Sequence, residues 1–439
     1  MRFLILAAAA AAFALPAAAQ TPAPAPSPAT RAMAAGYKAL TVCSAVLYGG
    51  RSVESVQANE LVGIYPELDG LVREMPVQVD ELHRSVSVAW DDGMPDRVAV
   101  WAPEAGCSIM PLGWNGPLEE WLLTPSSRIA YPLPDAAPAD PEAVSEVLGR
   151  TMAGSYGEGT NTTAVVILQN DAVVGERYAE GFTRDTPQRT WSVAKSIAGT
   201  LIGMAVQRGE LDLDAHAAIQ DWQRYGDPRG RITLDQLLRM SSGLTSDTAG
   251  NRTDAIYFGG VGVDEQVTAW PLIAPPGSRF RYANNDILLA TMAAPSINPQ
   301  GFFRQLGMHR TVAETDWRGN YILSSQVWAS AQDLARFGQL YLHDGVVNGE
   351  RILPETWLEY VSAPSGPQPT GEQGYGATFW LMNRSEGVPA DTISANGNRG
   401  QYVIIVPSRN IVIVRRGEDP AGKRFDPIAF TRDVLAALD

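Results

Sequence analysis

Ser192 and Lys195 stand three residues apart in the stretch Arg189 to Val206. On a helix, positions i and i+3 share a face, so a hydroxyl and an amine would meet there. Behind them Ile197, Ala198, Leu201, Ile202, Met204, Ala205 and Val206 leave the segment apolar nearly all round, the pattern of a buried helix. Gln207-Arg208-Gly209 ends it with a cation in the last turn and Gly as the stop. At the N-terminal end of a buried helix, dipole and desolvation both oppose an ammonium. Both favour the neutral amine, and a neutral amine beside a hydroxyl is a general base for a serine nucleophile.

Of the 34 basic residues only Lys38, Lys195 and Lys423 are lysines, and the rest are arginines. Arginine keeps its proton in proteins, so the chain holds a lysine at the one buried place where deprotonation matters. A Ser-Lys pair also needs a proton carrier, a partner that orients the amine, and N–H donors for an oxyanion. Tyr282 and Asn284, within Phe280 to Asp286, supply the first two types of group. Tyr is a competent acid/base if an ammonium lowers its pKa. Asn284 can accept from Lys195 and donate to a substrate carbonyl.

Strands Thr163 to Leu168 and Ala172 to Tyr178 flank Asn170-Asp171 as a hairpin ahead of the key helix. A second hairpin, Gln401 to Val406 and Ile411 to Val414, turns at Pro407 to Asn410. Helices are expected at Ser330 to Leu342, Pro354 to Val361 and Ile428 to Leu438, and in short pieces at 234–240, 263–269, 286–293 and 302–306. Strands at both ends of the core with helices between predict an α+β fold: an antiparallel sheet flanked by helices, plus an all-helical lobe.

The expected divisions are a signal peptide at 1–19, a Pro/Ala linker at 20–35 and an N-terminal mixed unit at 36–150 packed on the core. The core would comprise 151–214 and 331–439, with a helical insertion lobe at 215–330. Arg2, the apolar run Phe3 to Leu15 and Ala17-Ala18-Ala19 before Gln20 make the signal, so a periplasmic or secreted location is expected. Strands 84–90 and 97–101 lie in the N-terminal unit between Cys43 and Cys107. In an oxidising compartment that pair predicts one disulfide, with two buried free thiols as the alternative.

Forty-eight acidic against 34 basic residues give a net charge of −14, which argues against nucleic acid or an anionic membrane as partner. His83, His216, His309 and His343 are scattered without metal-ligand spacing, so neither metal nor cofactor is expected. No Gly-x-Ser-x-Gly elbow of an α/β-hydrolase occurs.

Ser192-Val193-Ala194-Lys195 and Tyr282-Ala283-Asn284, with Leu237 to Leu244 ending in Ser-Gly-Leu between them, resemble the motifs of the penicillin-recognising serine hydrolases. That superfamily includes class C β-lactamases, D-Ala-D-Ala carboxypeptidases, family VIII esterases and 6-aminohexanoate-dimer hydrolases. The resemblance covers roughly 163–439 and implies a β-lactamase/DD-peptidase-like fold. It also implies an acyl-enzyme route: Ser192 attacks, Lys195 takes its proton, and Tyr282 passes a proton to the leaving group. The oxyanion would lie between the Ser192 N–H and a strand N–H near Gly397, Gly400 and Gln401. The superfamily's third motif, Lys-Thr-Gly, is altered to Ala395-Asn396-Gly397. This favours a small-molecule ester or amide substrate over a β-lactam or peptidoglycan. Arg399 reads as a solvated turn arginine, with a restored anion site as the alternative. A β-lactamase or D-Ala-D-Ala carboxypeptidase is the second reading, and an inactive envelope binding module of the same fold the third.

Overall fold

A computed structural model of the chain describes residues 25–118, 132–245 and 253–439. The expected signal peptide lies outside the described residues. At the centre is a seven-stranded antiparallel sheet in the order Gly374–Tyr375, Trp380–Leu381, Ile393–Gly397, Gln401–Val406, Ile411–Gly417, Thr162–Gln169, Ala172–Tyr178. The two expected hairpins join side by side, with Ile413 opposite Ile167. Asn170 and Asp171 take the positive φ angles (50° and 67°) that a two-residue hairpin turn demands.

The inner strands read as unbroken apolar runs because both faces are covered. Ala164, Val166, Leu168, Val403, Ile405, Val412 and Val414 join the core that holds Ile197, Leu334 and Phe337. Val165, Ile167, Ile404, Ile411 and Ile413 point the other way, onto Val144, Leu148, Phe430 and Val434. Thus helices Val193–Gln207 and Ala331–Leu342 cover one face, and Pro141–Met152 and Pro427–Ala437 the other. Each fully buried aliphatic side chain contributes about 1.5–3 kcal/mol, so this double covering fixes the sheet that carries the Ile393–Gly397 strand.

Among the described residues of 215–330 the helices include Leu234–Leu238, Asp254–Tyr257, Asn284–Met292 and Pro299–Gln305. This stretch is not helical throughout. Thr311–Ala313 and Val327–Ala329 pair with each other, and the second also pairs with Gln188–Arg189. Strands of two or three residues are too short to show a period-two pattern. This small sheet anchors the chain just ahead of Ser192.

The N-terminal unit is a four-stranded antiparallel sheet, Val77–Asp80, Ser85–Val88, Arg97–Ala102 and Gly106–Ile109, with the helix Pro28–Val42 packed across it. Over 28–35 that helix corrects the expected Pro/Ala linker, whose residues 20–24 lie outside the described residues. Pro28 occupies its first turn, and Ser27 Oγ accepts from Thr30 N at 3.1 Å. Pro at the first helical position after a Ser cap is a start signal, hidden here in a Pro/Ala-rich run. The boundary at residue 36 therefore falls inside a helix. Cys43 and Cys107 form a disulfide, for which the chain-entropy model gives roughly 4 kcal/mol.

The unit is fastened to the rest by buried polar contacts. Arg97 Nη2 donates to Phe258 O at 2.8 Å, and Glu314 Oε1 accepts from Ser44 Oγ (2.6 Å) and Cys107 N (3.1 Å). A Cβ on Gly36 would lie 2.0 Å from Phe258 O, so only Gly allows the Pro28–Val42 helix to approach the lobe this closely.

Candidate active site

Ser192 sits directly before the helix Val193–Gln207, whose residues are buried almost throughout. The preceding residue, Trp191, has a φ of +50°, a conformation that costs a non-glycine residue of order 1–3 kcal/mol. Its surroundings hold it there. The Arg189 guanidinium lies 3.7 Å from the Trp191 ring centroid and donates through Nη2 to Ser325 Oγ at 2.7 Å. Thr190 N donates to Val327 O at 2.7 Å. The strained turn delivers Ser192 to the floor of a cleft.

Lys195 Nζ has three oxygen neighbours: Ser192 Oγ at 2.8 Å, Asn284 Oδ1 at 2.6 Å and Ser324 O at 2.9 Å. An amide oxygen and a backbone carbonyl can only accept. They therefore take two N–H bonds. The Lys195 side chain is buried, and desolvation holds its pKa well below the usual lysine value. A neutral amine has two N–H groups and one lone pair. Nζ is placed as donor to Ser192 Oγ as well; in the neutral form that burial favours, with both N–H groups on the other two oxygens, the lone pair would face the Ser192 hydroxyl, the arrangement a general base requires.

Tyr282 and Asn284 are brought to this pair by the start of the helix Asn284–Met292. The Ser-Gly-Leu segment is what fixes that start. Met240 O accepts from Arg281 N at 2.8 Å, and Ser242 Oγ lies 2.9 Å from Asp286 Oδ1. The Lys195 ammonium nitrogen position is 5.0 Å from the Tyr282 ring centroid. Tyr375 and Trp380 wall in the phenol, with ring centroids 6.0 and 5.3 Å from its own. Burial raises the Tyr282 pKa above the ordinary phenol value, against the opposing effect of hydrogen bonding to Ser192 and Trp380. The condition considered from sequence, an ammonium that lowers the phenol pKa, is therefore not met. Burial shifts amine and phenol in opposite directions, and in each case it favours the neutral form.

The cleft above Ser192 has a volume of about 530 Å³, and Tyr282, Asn284, Asn396 and Gly397 line it. A Cβ on Gly397 would stand 2.3 Å from Thr190 O and 3.2 Å from Ser192 N. Only Gly lets this strand pass so close to the Ser192 backbone.

Gly400 and Gln401 do not reach the cleft. Gln401 is fully buried, donates to Arg399 O and Gly417 O, and accepts from Arg416 Nε at 2.6 Å. Gly400 packs on the Arg415 guanidinium. Beyond Asn398, which still lines the cleft, the chain turns into the core. Arg399 is corrected as well: it is neither a solvated side chain nor an anion site. It is 6% exposed, pairs with Glu418 at 2.7 Å, and donates to the carbonyls of Asn59, Val62 and Gly63.

Several cleft residues escaped the sequence reading: Tyr65, Trp191, Tyr257, Asn396, Asn398 and Trp380. Asn396 and Asn398 flank Gly397 and were within reach of that reading. Tyr65 and Tyr257 come from distant segments with no local signal. Among the described residues, no group of three or more His, Cys, Asp or Glu is placed to hold a metal, and no helix is long and apolar enough to cross a membrane.

The Beta-lactamase family model matches residues 150–436. A 6-aminohexanoate-dimer hydrolase of Paenarthrobacter ureafaciens is 24% identical over 388 residues, 73% of this chain and 94% of that protein. Among solved structures, a candidate 6-aminohexanoate-dimer hydrolase of Bacillus anthracis aligns with a TM-score of 0.56 at 22% identity, over 70% of this chain and 86% of that one. A class C β-lactamase aligns at 0.51 and 14%, over 68% and 96%. These two likenesses show the shared fold. The chain is a serine hydrolase by family, and it belongs to the β-lactamase family. Within that family it is related to 6-aminohexanoate-dimer hydrolase.

Proposed function

We propose that the protein is an exported hydrolase that cleaves an ester or amide through an acyl-Ser192 intermediate. The observation that carries this reading is the set of three oxygens around Lys195 Nζ, two of which can only accept. Ser192 Oγ attacks the carbonyl carbon as its proton passes to Lys195. The C–O or C–N bond to the leaving group then breaks, and Tyr282, still protonated, supplies the leaving group's proton. Water then attacks the acyl carbon as its proton passes to the Tyr282 phenolate, and the bond from that carbon to Ser192 Oγ breaks as Lys195 returns its proton to the serine oxygen. The Ser192 N–H beside Gly397 is the donor toward which the developing oxyanion points.

The family's third motif reads Ala395-Asn396-Gly397 here. Ala395 in place of the motif's lysine lowers the site's attraction for a substrate carboxylate, which favours an esterase or amidase over a β-lactamase. The disulfide and the basic, apolar and small-residue order of residues 2–19 support export. The test is intact mass after brief exposure to a short-chain aryl ester, with nitrocefin in parallel. Wild type should gain the acyl mass and Ser192→Ala should not. Efficient nitrocefin turnover with no ester turnover would favour the β-lactamase reading instead, and no adduct with either substrate would remove the enzyme reading.

A further inference from the structure

One phenol touches both residues whose oxygens accept from Lys195 Nζ. The Tyr257 hydroxyl lies 2.6 Å from Ser324 Oγ. Burial raises the Tyr257 pKa, and hydrogen bonding to Ser324, Thr253 and Asn284 works against that rise. Thr253 Oγ1 in turn accepts from Asn284 Nδ2 at 3.3 Å. Tyr257 is itself closely held. It is 3% exposed, and the Arg189 guanidinium that donates to Ser325 Oγ lies 5.3 Å from its ring centroid. The next residue, Phe258, is clamped by the N-terminal unit. Arg97 Nη2 donates to its carbonyl at 2.8 Å, and the Tyr37 ring centroid is 4.8 Å from its own.

We infer that Tyr257 is a positioning residue for the general base: its hydroxyl seats the Ser324 carbonyl and the Asn284 amide against Lys195. The inference rests on the acyl-Ser192 reading. In a neutral amine the directions of the two N–H bonds fix the direction of the lone pair. Lys195 aims that pair at Ser192 Oγ only while Asn284 Oδ1 and Ser324 O stay in place, at 2.6 and 2.9 Å from Nζ. If either acceptor drifts, the amine turns about its terminal C–N bond and the lone pair leaves the Ser192 hydroxyl. A buried side chain that ties both acceptors to one atom removes this freedom before the reaction begins. Residues 253–258 carry the tether, and the N-terminal unit that braces Phe258 lies outside the family match at 150–436.

The test is burst kinetics with 4-nitrophenyl acetate, which separates substrate binding from the acylation rate constant. It compares Tyr257→Phe, Ser324→Ala and the double variant, with thermal melts to confirm folding. Tyr257→Phe keeps the ring beside Arg189 and removes both tethers. Its acylation rate constant should fall about tenfold, with substrate binding changed less than about twofold. Ser324→Ala keeps the carbonyl and removes one tether, so acylation should slow about threefold. Both substitutions act along one path, so the double variant should lose about tenfold rather than the roughly thirtyfold of independent effects. Weakened binding with acylation unchanged makes Tyr257, which also lines the cleft, a substrate contact and overturns the positioning role. Multiplying losses overturn it too, as does undiminished acylation in either single variant. Each of those results leaves the acyl-Ser192 reading standing. Failure of the wild type to form an acyl-enzyme overturns both.

Discussion

Asn284→Asp places a carboxylate where an amide oxygen now accepts from Lys195 Nζ at 2.6 Å. The change is nearly isosteric, so the geometry around Ser192 is kept while the electrostatics change sign in favour of the ammonium. With the carboxylate's charge shared over two oxygens, an effective separation near 4 Å at an effective dielectric of 20 gives about 4 kcal/mol. That corresponds to about three pH units on the amine. In the native site desolvation keeps the Lys195 pKa well below its ordinary value, which favours the free amine. The variant should bind a proton at Lys195 at pH 7, and its acylation rate should fall roughly 10²–10³-fold there. The assay is kcat/KM against pH with an aryl ester. The acid limb should move to higher pH by two to three units, roughly as the Coulomb term requires, with activity recovering at alkaline pH. An acid limb that stays in place under a uniformly lowered profile would refute Lys195 as the titrating base.

Tyr282→Phe keeps the ring among Tyr375 and Trp380 but removes the proton carrier. Turnover should drop about 10²–10⁴-fold, with acyl-enzyme accumulating in intact mass if water attack suffers more than acylation. Gly397→Ala sets a Cβ 2.3 Å from Thr190 O, so the strand must shift; acylation should fall about 10²-fold, and the melting temperature should fall with it because the clash is with backbone. Arg399→Gln leaves Glu418 buried without its cation and removes the donor to Asn59, Val62 and Gly63. Denaturant titration should show a loss of about 3–5 kcal/mol. Stability should also fall as pH rises from about 4 to 8. Burial raises Glu60 to about 8, despite Arg51 facing it, and raises Glu314 and Asp286 each to about 7. The folded chain thus binds these protons more tightly than the unfolded chain, and folding takes up protons across that window. The melting temperature should be higher at pH 5.5 than at pH 8.5, and a rise over that interval would contradict this.

The parts of the fold visible in the sequence are those whose signal is local. The Ser192 helix announces itself by an apolar run with its own stop, and the hairpins by apolar, β-branched runs around Asn170-Asp171 and Pro407 to Asn410. The Ser-Lys pair was legible because helix geometry ties spacing to facing, whereas Tyr-x-Asn was legible through its resemblance to a known motif. Arg399 was misread because a turn arginine next to a glycine gives no hint of three carbonyls arriving from residues 59–63. Gly400 and Gln401 were drawn into the site by proximity to Gly397, since sequence distance does not reveal where a strand turns away. Tyr65 and Tyr257 reach the cleft only through long-range packing. The Pro28–Val42 helix was overlooked because its prolines read as a spacer, although the Ser27-Pro28 start signal was present.

The measurement that bears most directly on this account is the ionisation of Lys195 itself. With only Lys38, Lys195 and Lys423 in the chain, selective ¹³Cε and ¹⁵Nζ labelling of lysine gives three side-chain signals, assignable by single substitutions. The Lys195 signal should report a neutral amine at pH 7, and Ser192→Ala should perturb it. A Lys195 that remains an ammonium up to the ordinary lysine pKa of about 10.4 would contradict the account at its root.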